Sequence, residues 1–171
     1  MLKSTIVAVG LVALGTVAAS AHVTLEVPEA TAGSTYKAVL RVGHGCEGSP
    51  TLKVSVKIPE GVIAVKPMPH AGWTLETVKG KYGKSYDYYG TPMSEGVTEV
   101  IWSGGKLLDE HYDEFVFRGM VAADVAPGTI YFPVVQECEV GFERWIEIPE
   151  AGKVADDYES PAPGLTILPK P

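Results

Sequence analysis

From position 22 onward, apolar and polar residues alternate in short runs that break at Gly or Pro. In the run 51–58, Leu52, Val54, Val56 and Ile58 fall on one side, while Lys53, Ser55 and Lys57 fall on the other. A period of two with one apolar face predicts a strand that is half buried. The same reading predicts strands over 22–28, 35–42, 62–66, 73–79, 97–103, 113–121, 129–135 and 144–148, all rich in Val, Ile, Thr and aromatic residues. Prolines at 28, 59, 67, 69, 127, 133 and 149 fall mainly at the edges of these runs, where a missing N–H costs least. No stretch carries a sustained 3.6-residue stripe, and 105–112 is expected to form at most one short helical turn. Many short strands separated by turn residues predict an all-β, antiparallel β-sandwich with a single core. Residues 22–171 form one domain in this reading, with 150–171 as a peripheral, Pro-rich tail that makes a strand or draped segment followed by a loose end.

The first 21 residues follow a different pattern. Lys3 precedes an apolar run from Ile6 to Val17, and Ala19-Ser20-Ala21 supplies the small-x-small spacing of a signal-peptidase site. The run is shorter than the roughly 20 residues a membrane span requires, and no second such run follows. The expectation is a cleaved signal peptide over 1–21, a mature chain that begins at His22, and a periplasmic protein without a membrane span.

Composition narrows the class. The 171 residues carry 14 Lys+Arg against 21 Asp+Glu, a formal net charge of −7. This acidity excludes nucleic acid as a partner, because a basic footprint is needed to neutralise phosphates. With 46% hydrophobic residues the chain is too apolar for disorder. The two cysteines, Cys46 and Cys138, are expected to pair in an oxidising compartment, since no C-x-x-C spacing supports a thiolate metal site. Motifs for nucleophilic hydrolysis (G-x-S-x-G), zinc proteolysis (H-E-x-x-H) and phosphate cradling are absent from the sequence.

Candidate chemistry therefore centres on histidine. After cleavage, His22 holds an α-amine and an imidazole on one carbon framework, so its amine and Nδ1 close a chelate ring on a single ion. Nitrogen donors in a tetragonal plane suit Cu(II). His44 lies in Gly43-His44-Gly45-Cys46-Glu47-Gly48, a loop whose glycines permit tight turns two residues from the expected disulfide. His70 shares a turn with Met68, a weak candidate for a soft copper pair, and His111 reads as a solvated turn residue. Trp73, Trp102 and Trp145 are expected in the core.

Several fragments together resemble the YcnI-like copper-binding domains of bacterial cell envelopes. They are His22-Val23-Thr24, the strand end Arg41-Val42, Lys57-Ile58-Pro59-Glu60-Gly61-Val62, Gly72-Trp73-Thr74, Tyr131 to Cys138, and Arg144-Trp145-Ile146-Glu147. The resemblance implies a sandwich of immunoglobulin or fibronectin type. It also implies Cu(II) held by the amine and ring of His22, with Trp145 beside it. In the family a carboxylate follows the Arg-Val strand, whereas here His44 stands near that position and Glu47 is displaced. His44 is the expected second ligand, with Glu47 or Glu26 in reserve. The implied role is storage, buffering or transfer of copper to a chaperone or transporter in the envelope. The alternatives are a copper-dependent monooxygenase built on the same N-terminal chelate, or a metal-free interaction module.

Overall fold

A computed structural model of the chain describes residues 22–170; the predicted signal peptide lies outside the described residues. Twelve strands follow in order: β1 (Thr24–Leu25), β2 (Glu29–Thr31), β3 (Thr35–Val42), β4 (Thr51–Lys57), β5 (Val62–Pro67), β6 (Thr74–Tyr88), β7 (Thr91–Leu107), β8 (Asp113–Val121), β9 (Gly128–Tyr131), β10 (Val134–Cys138), β11 (Phe142–Trp145) and β12 (Gly164–Leu168). They form a four-stranded sheet in the order β1-β3-β8-β5, a five-stranded sheet β11-β10-β4-β7-β6, and a small sheet β2-β12-β9. Pairing is antiparallel except between β12 and β2. Among the described residues no helix is long and apolar enough to cross a membrane.

The period-two pattern decides which side chains meet between the sheets. Tyr36, Ala38, Leu40 and Val42 of β3, with Phe115, Phe117 and Val121 of β8, point inward from the four-stranded sheet. Opposing them are Val54 and Val56 of β4, Val100 and Trp102 of β7, and Val134 of β10. Full burial of each such Val, Leu or Phe contributes about 1.5–3 kcal/mol. Trp102 is fully buried, and its indole N–H donates to the Met68 carbonyl at 3.1 Å, so the polar end of the ring is satisfied inside the core.

Three stretches differ from the sequence reading. The stretch 105–112 forms no helix among its described residues; β7 continues through Leu107, whose register partner is Thr51. The run 129–135 is two strands rather than one, because the chain changes sheets at Phe132-Pro133, and Pro133 has no N–H to donate to a ladder. The tail does contain a strand, one of its two expected forms, but it is not peripheral. Its 164–168 segment is β12, which pairs with β2 and β9 and buries Leu165 and Ile167 completely in the main core.

The β6–β7 hairpin also extends well past its predicted ends. Its distal half is too polar to suggest a strand, yet it reaches a second apolar cluster where Tyr86 meets Ile63, Met120 and Ala122. Tyr89 and Gly90, both at positive φ, close the hairpin. Burial, then the adjacent Glu60 carboxylate, raises the Tyr86 phenol above its ordinary pKa, and its hydroxyl donates to Glu60 Oε1 at 2.6 Å.

The N-terminal segment is tied down in two ways. Val23 and Leu25 are buried in the core, and β1 pairs with β3 in a register that sets Thr24 opposite Arg41. The Tyr36 hydroxyl donates to the Val27 carbonyl at 2.7 Å, and burial pushes that phenol up to about 12. Alternation across β1 turns His22 and Thr24 away from the core while Val23 points in.

Candidate metal centre

The Cys46–Cys138 disulfide forms as expected and joins the loop after β3 to the end of β10, with Cα atoms 6.0 Å apart. Between Cys46 and Ser49 the chain makes a tight turn closed by two main-chain hydrogen bonds of 2.9 Å. Glu47 and Gly48 occupy the two central positions, both at positive φ. On the other side of Cys46, Gly45 must be glycine: a Cβ there would lie 1.9 Å from the Ser49 carbonyl oxygen. Its N–H donates to Asp109 Oδ1 at 2.9 Å, which anchors the loop to the turn after β7.

This anchored loop brings His44 to Trp145, at the end of β11. The two ring centroids lie 6.2 Å apart, edge to face. The His22 ring approaches the same indole, with centroids 5.6 Å apart and the planes inclined by 58°. Two histidines 22 positions apart in sequence thus share one buried tryptophan, which is 5% exposed while both imidazoles remain half-buried. His44 Nδ1 contacts the Gly45 carbonyl oxygen. A carbonyl can only accept, so in this contact Nδ1 is the donor.

Beneath the two histidines lies Gln136, which the sequence reading passed over. It occupies an inward position of β10 between Val134 and Cys138 and is 1% exposed. Its Oε1 accepts from Trp145 Nε1 at 3.2 Å, and its Nε2 donates to the His44 carbonyl at 2.6 Å and to Thr51 Oγ1 at 2.7 Å. One amide therefore sets both the tilt of the indole and the path of the His44 backbone. The available signal was a lone polar residue at an inward position of an otherwise apolar strand, where a buried amide needs partners. Replacing Gln136 with Leu leaves the buried indole N–H unsatisfied, at a cost of about 2 kcal/mol. Thermal unfolding should show Gln136→Leu melting roughly 4–8 °C below the unaltered protein; equal melting temperatures would deny the network any weight.

The remaining candidates lie elsewhere. Glu47, at the tip of its turn, lines a hollow with Val140, Phe142 and Glu143. Glu26 pairs with Arg41 at 3.1 Å on the outer face of the four-stranded sheet. His70 does not pair with the Met68 side chain; its Nε2 meets Asp113 Oδ2 at 2.9 Å and its ring packs on Phe115. His111 is exposed beside Glu110, as expected of a solvated turn. Among the described residues no three His, Cys, Asp or Glu side chains converge on one point. An ion held between His22 and His44 would need further donors, and a liberated His22 amine would supply one. Two imidazoles together with that amine would make a nitrogen donor set of the kind that suits Cu(II).

The family described as "Domain of unknown function (DUF1775)" matches residues 22–167. No curated protein matches. Among solved structures, the chain is similar to an uncharacterized protein from Nocardia farcinica whose crystal structure is described as an immunoglobulin-like fold. The two are 24% identical, with a TM-score of 0.64, over 85% of this chain and 97% of that one. That likeness supports the sandwich as an immunoglobulin-like fold.

Proposed function

The chain belongs to the DUF1775 family, which includes the YcnI-like domains, and from that premise we propose that it is an exported Cu(II)-binding protein of the cell envelope. In this reading one ion is held by the α-amine and imidazole of His22, freed when the leader is removed, with His44 as second imidazole. The observation that carries the proposal is the shared tryptophan: the rings of His22 and His44 lie 5.6 and 6.2 Å from the Trp145 ring. Trp145 gives the ion a rigid, apolar shelf, and Gln136 holds that shelf in place. A half-exposed site of this kind suits storage, buffering or hand-over to an envelope chaperone or transporter. No catalytic step is assigned to it.

The test uses protein that begins at His22. One equivalent of Cu(II) should give an electron paramagnetic resonance spectrum with coupling to nitrogen and should quench tryptophan fluorescence. Trp145→Phe should remove most of that quenching, since Trp73 and Trp102 lie elsewhere. His44→Ala should weaken binding by roughly 10–100-fold, while Glu47→Ala leaves it unchanged. Failure of the correctly started protein to retain copper would select the metal-free reading instead.

A further inference from the structure

The far half of the same four-stranded sheet carries an unusual charge arrangement. In the ladder, Lys37 of β3 stands opposite Arg118 of β8, and Arg118 stands opposite Lys66 of β5. Three cations thus form one row across three neighbouring strands, on the outer face, and all three are exposed. Adjacent strands lie about 4.8 Å apart, and like charges directly opposite one another are destabilising. Elsewhere Arg41, Lys53, Lys57, Lys84 and Lys106 each meet a carboxylate, and the ladder sets Lys81 opposite Glu95. Among the described residues none of Lys37, Lys66 and Arg118 does. The chain has an excess of acid, yet no carboxylate relieves this row.

Beside the row is an apolar hollow of about 640 Å³, with Val116 on its floor and Pro67, Met68 and Pro69 along its wall. Pro67 and Pro69 have no N–H, and the Met68 N–H already donates to the Val116 carbonyl at 2.8 Å. The wall cannot add a main-chain strand through those groups, so recognition there falls to side chains. Met68 is 48% exposed and adaptable in shape.

We propose that this face is a docking site for an acidic segment of another protein, with at least two carboxylates on the Lys37–Arg118–Lys66 row and an apolar side chain in the hollow between Val116 and Met68. Charge complementarity selects the occupant. A single small anion satisfies one cation of the three, whereas a chain segment with alternating acidic and apolar residues meets both the row and the hollow. An anionic membrane surface fits less well, because the chain as a whole is negative and the apolar part of the site is concave. The inference is independent of copper: β3 carries the row at Lys37 and leads to the His44 loop only at its other end.

The probe is an eight-residue peptide alternating Asp or Glu with Leu, titrated into nitrogen-15-labelled protein that begins at His22. Amide shifts should concentrate at residues 35–39, 66–69 and 116–118. Binding should weaken at least fivefold between about 20 and 200 mM salt, as screening shortens the reach of exposed charges. The combined variant Lys37→Ser, Lys66→Ser, Arg118→Ser should bind at least tenfold more weakly. It should melt no lower than the unaltered protein, because the substitutions remove repulsion. A second peptide with Asn and Gln in place of the acids keeps the test independent of that variant and should not bind. The proposal is overturned if the two peptides bind alike or neither binds. It is equally overturned if the protein binds vesicles containing phosphatidylglycerol but not the acidic peptide, or if sedimentation shows self-association through these same residues.

Discussion

Adding a single residue before His22 should abolish tight Cu(II) binding while leaving the fold untouched. The amine of His22 is a donor only when no peptide bond consumes it; an amide nitrogen has its lone pair delocalised into the carbonyl. With an extra Ala in front, the ion loses one nitrogen and the chelate ring that the amine closes with Nδ1. The second donor of a chelate binds at the effective concentration set by its tether, and here the tether is a single residue. Its loss should therefore weaken affinity by about three orders of magnitude, on the order of 4 kcal/mol. The measurement is a competition titration against a chelator of known Cu(II) affinity, run on proteins beginning at His22 and at one added Ala. Melting temperatures without copper should coincide, because the buried anchors of this segment are Val23 and Leu25 and both remain. His22→Ala at the same N-terminus keeps the amine but loses the ring and with it the same chelate, and should weaken binding by a similar factor. Equal affinity in the extended protein would refute the N-terminal chelate, whatever its effect on His44.

Strands β3 and β8 were legible to the residue, because each has one face against the core and one against solvent, and an alternating pattern then has a single solution. The distal β6–β7 hairpin was not. Its strands are held by partners remote in sequence, Tyr86 on Ile63 and Met120, so no local periodicity marks them. The place of β12 in the core was hidden for a related reason: Leu165 and Ile167 stand as two apolar residues in a Pro-rich tail until a core exists to receive them. In the candidate site, the individual residues were visible as types: a histidine at the expected cleavage point, another beside a cysteine, and a tryptophan after the second cysteine. Their convergence was carried by the family resemblance and not by the period-two pattern, since it depends on β1 pairing with β3 and on β10 carrying β11 beside it. Gln136 illustrates the remainder. A buried amide looks unremarkable in sequence and acquires meaning only when its three partners are known.

Removing the disulfide should be the most damaging change to stability, and it should reach the metal centre as well. Cys46 and Cys138 are separated by 92 positions, so the bridge closes most of the described chain into one loop. In the chain-entropy view a loop of this length is worth about 4.5 kcal/mol through the unfolded state, and loss of a native bridge commonly costs 2–5 kcal/mol. For a domain of this size, Cys46→Ser with Cys138→Ser should lower the melting temperature by roughly 8–16 °C. The bridge also lies two residues from His44 on one side and two from Gln136 on the other. Without it the 43–49 loop keeps its Gly45–Asp109 and Gln136–His44 hydrogen bonds, but two mobile segments must now be ordered when an ion joins His22 to His44. The double variant should therefore bind Cu(II) more weakly than the intact protein at temperatures well below its own melting point. The added deficit should disappear in a His44→Ala background, where the loop no longer supplies a ligand. A double variant with the same melting temperature would sink the stability argument. A copper deficit that persists in full without His44 would instead show that the bridge acts on the site by some route other than the loop.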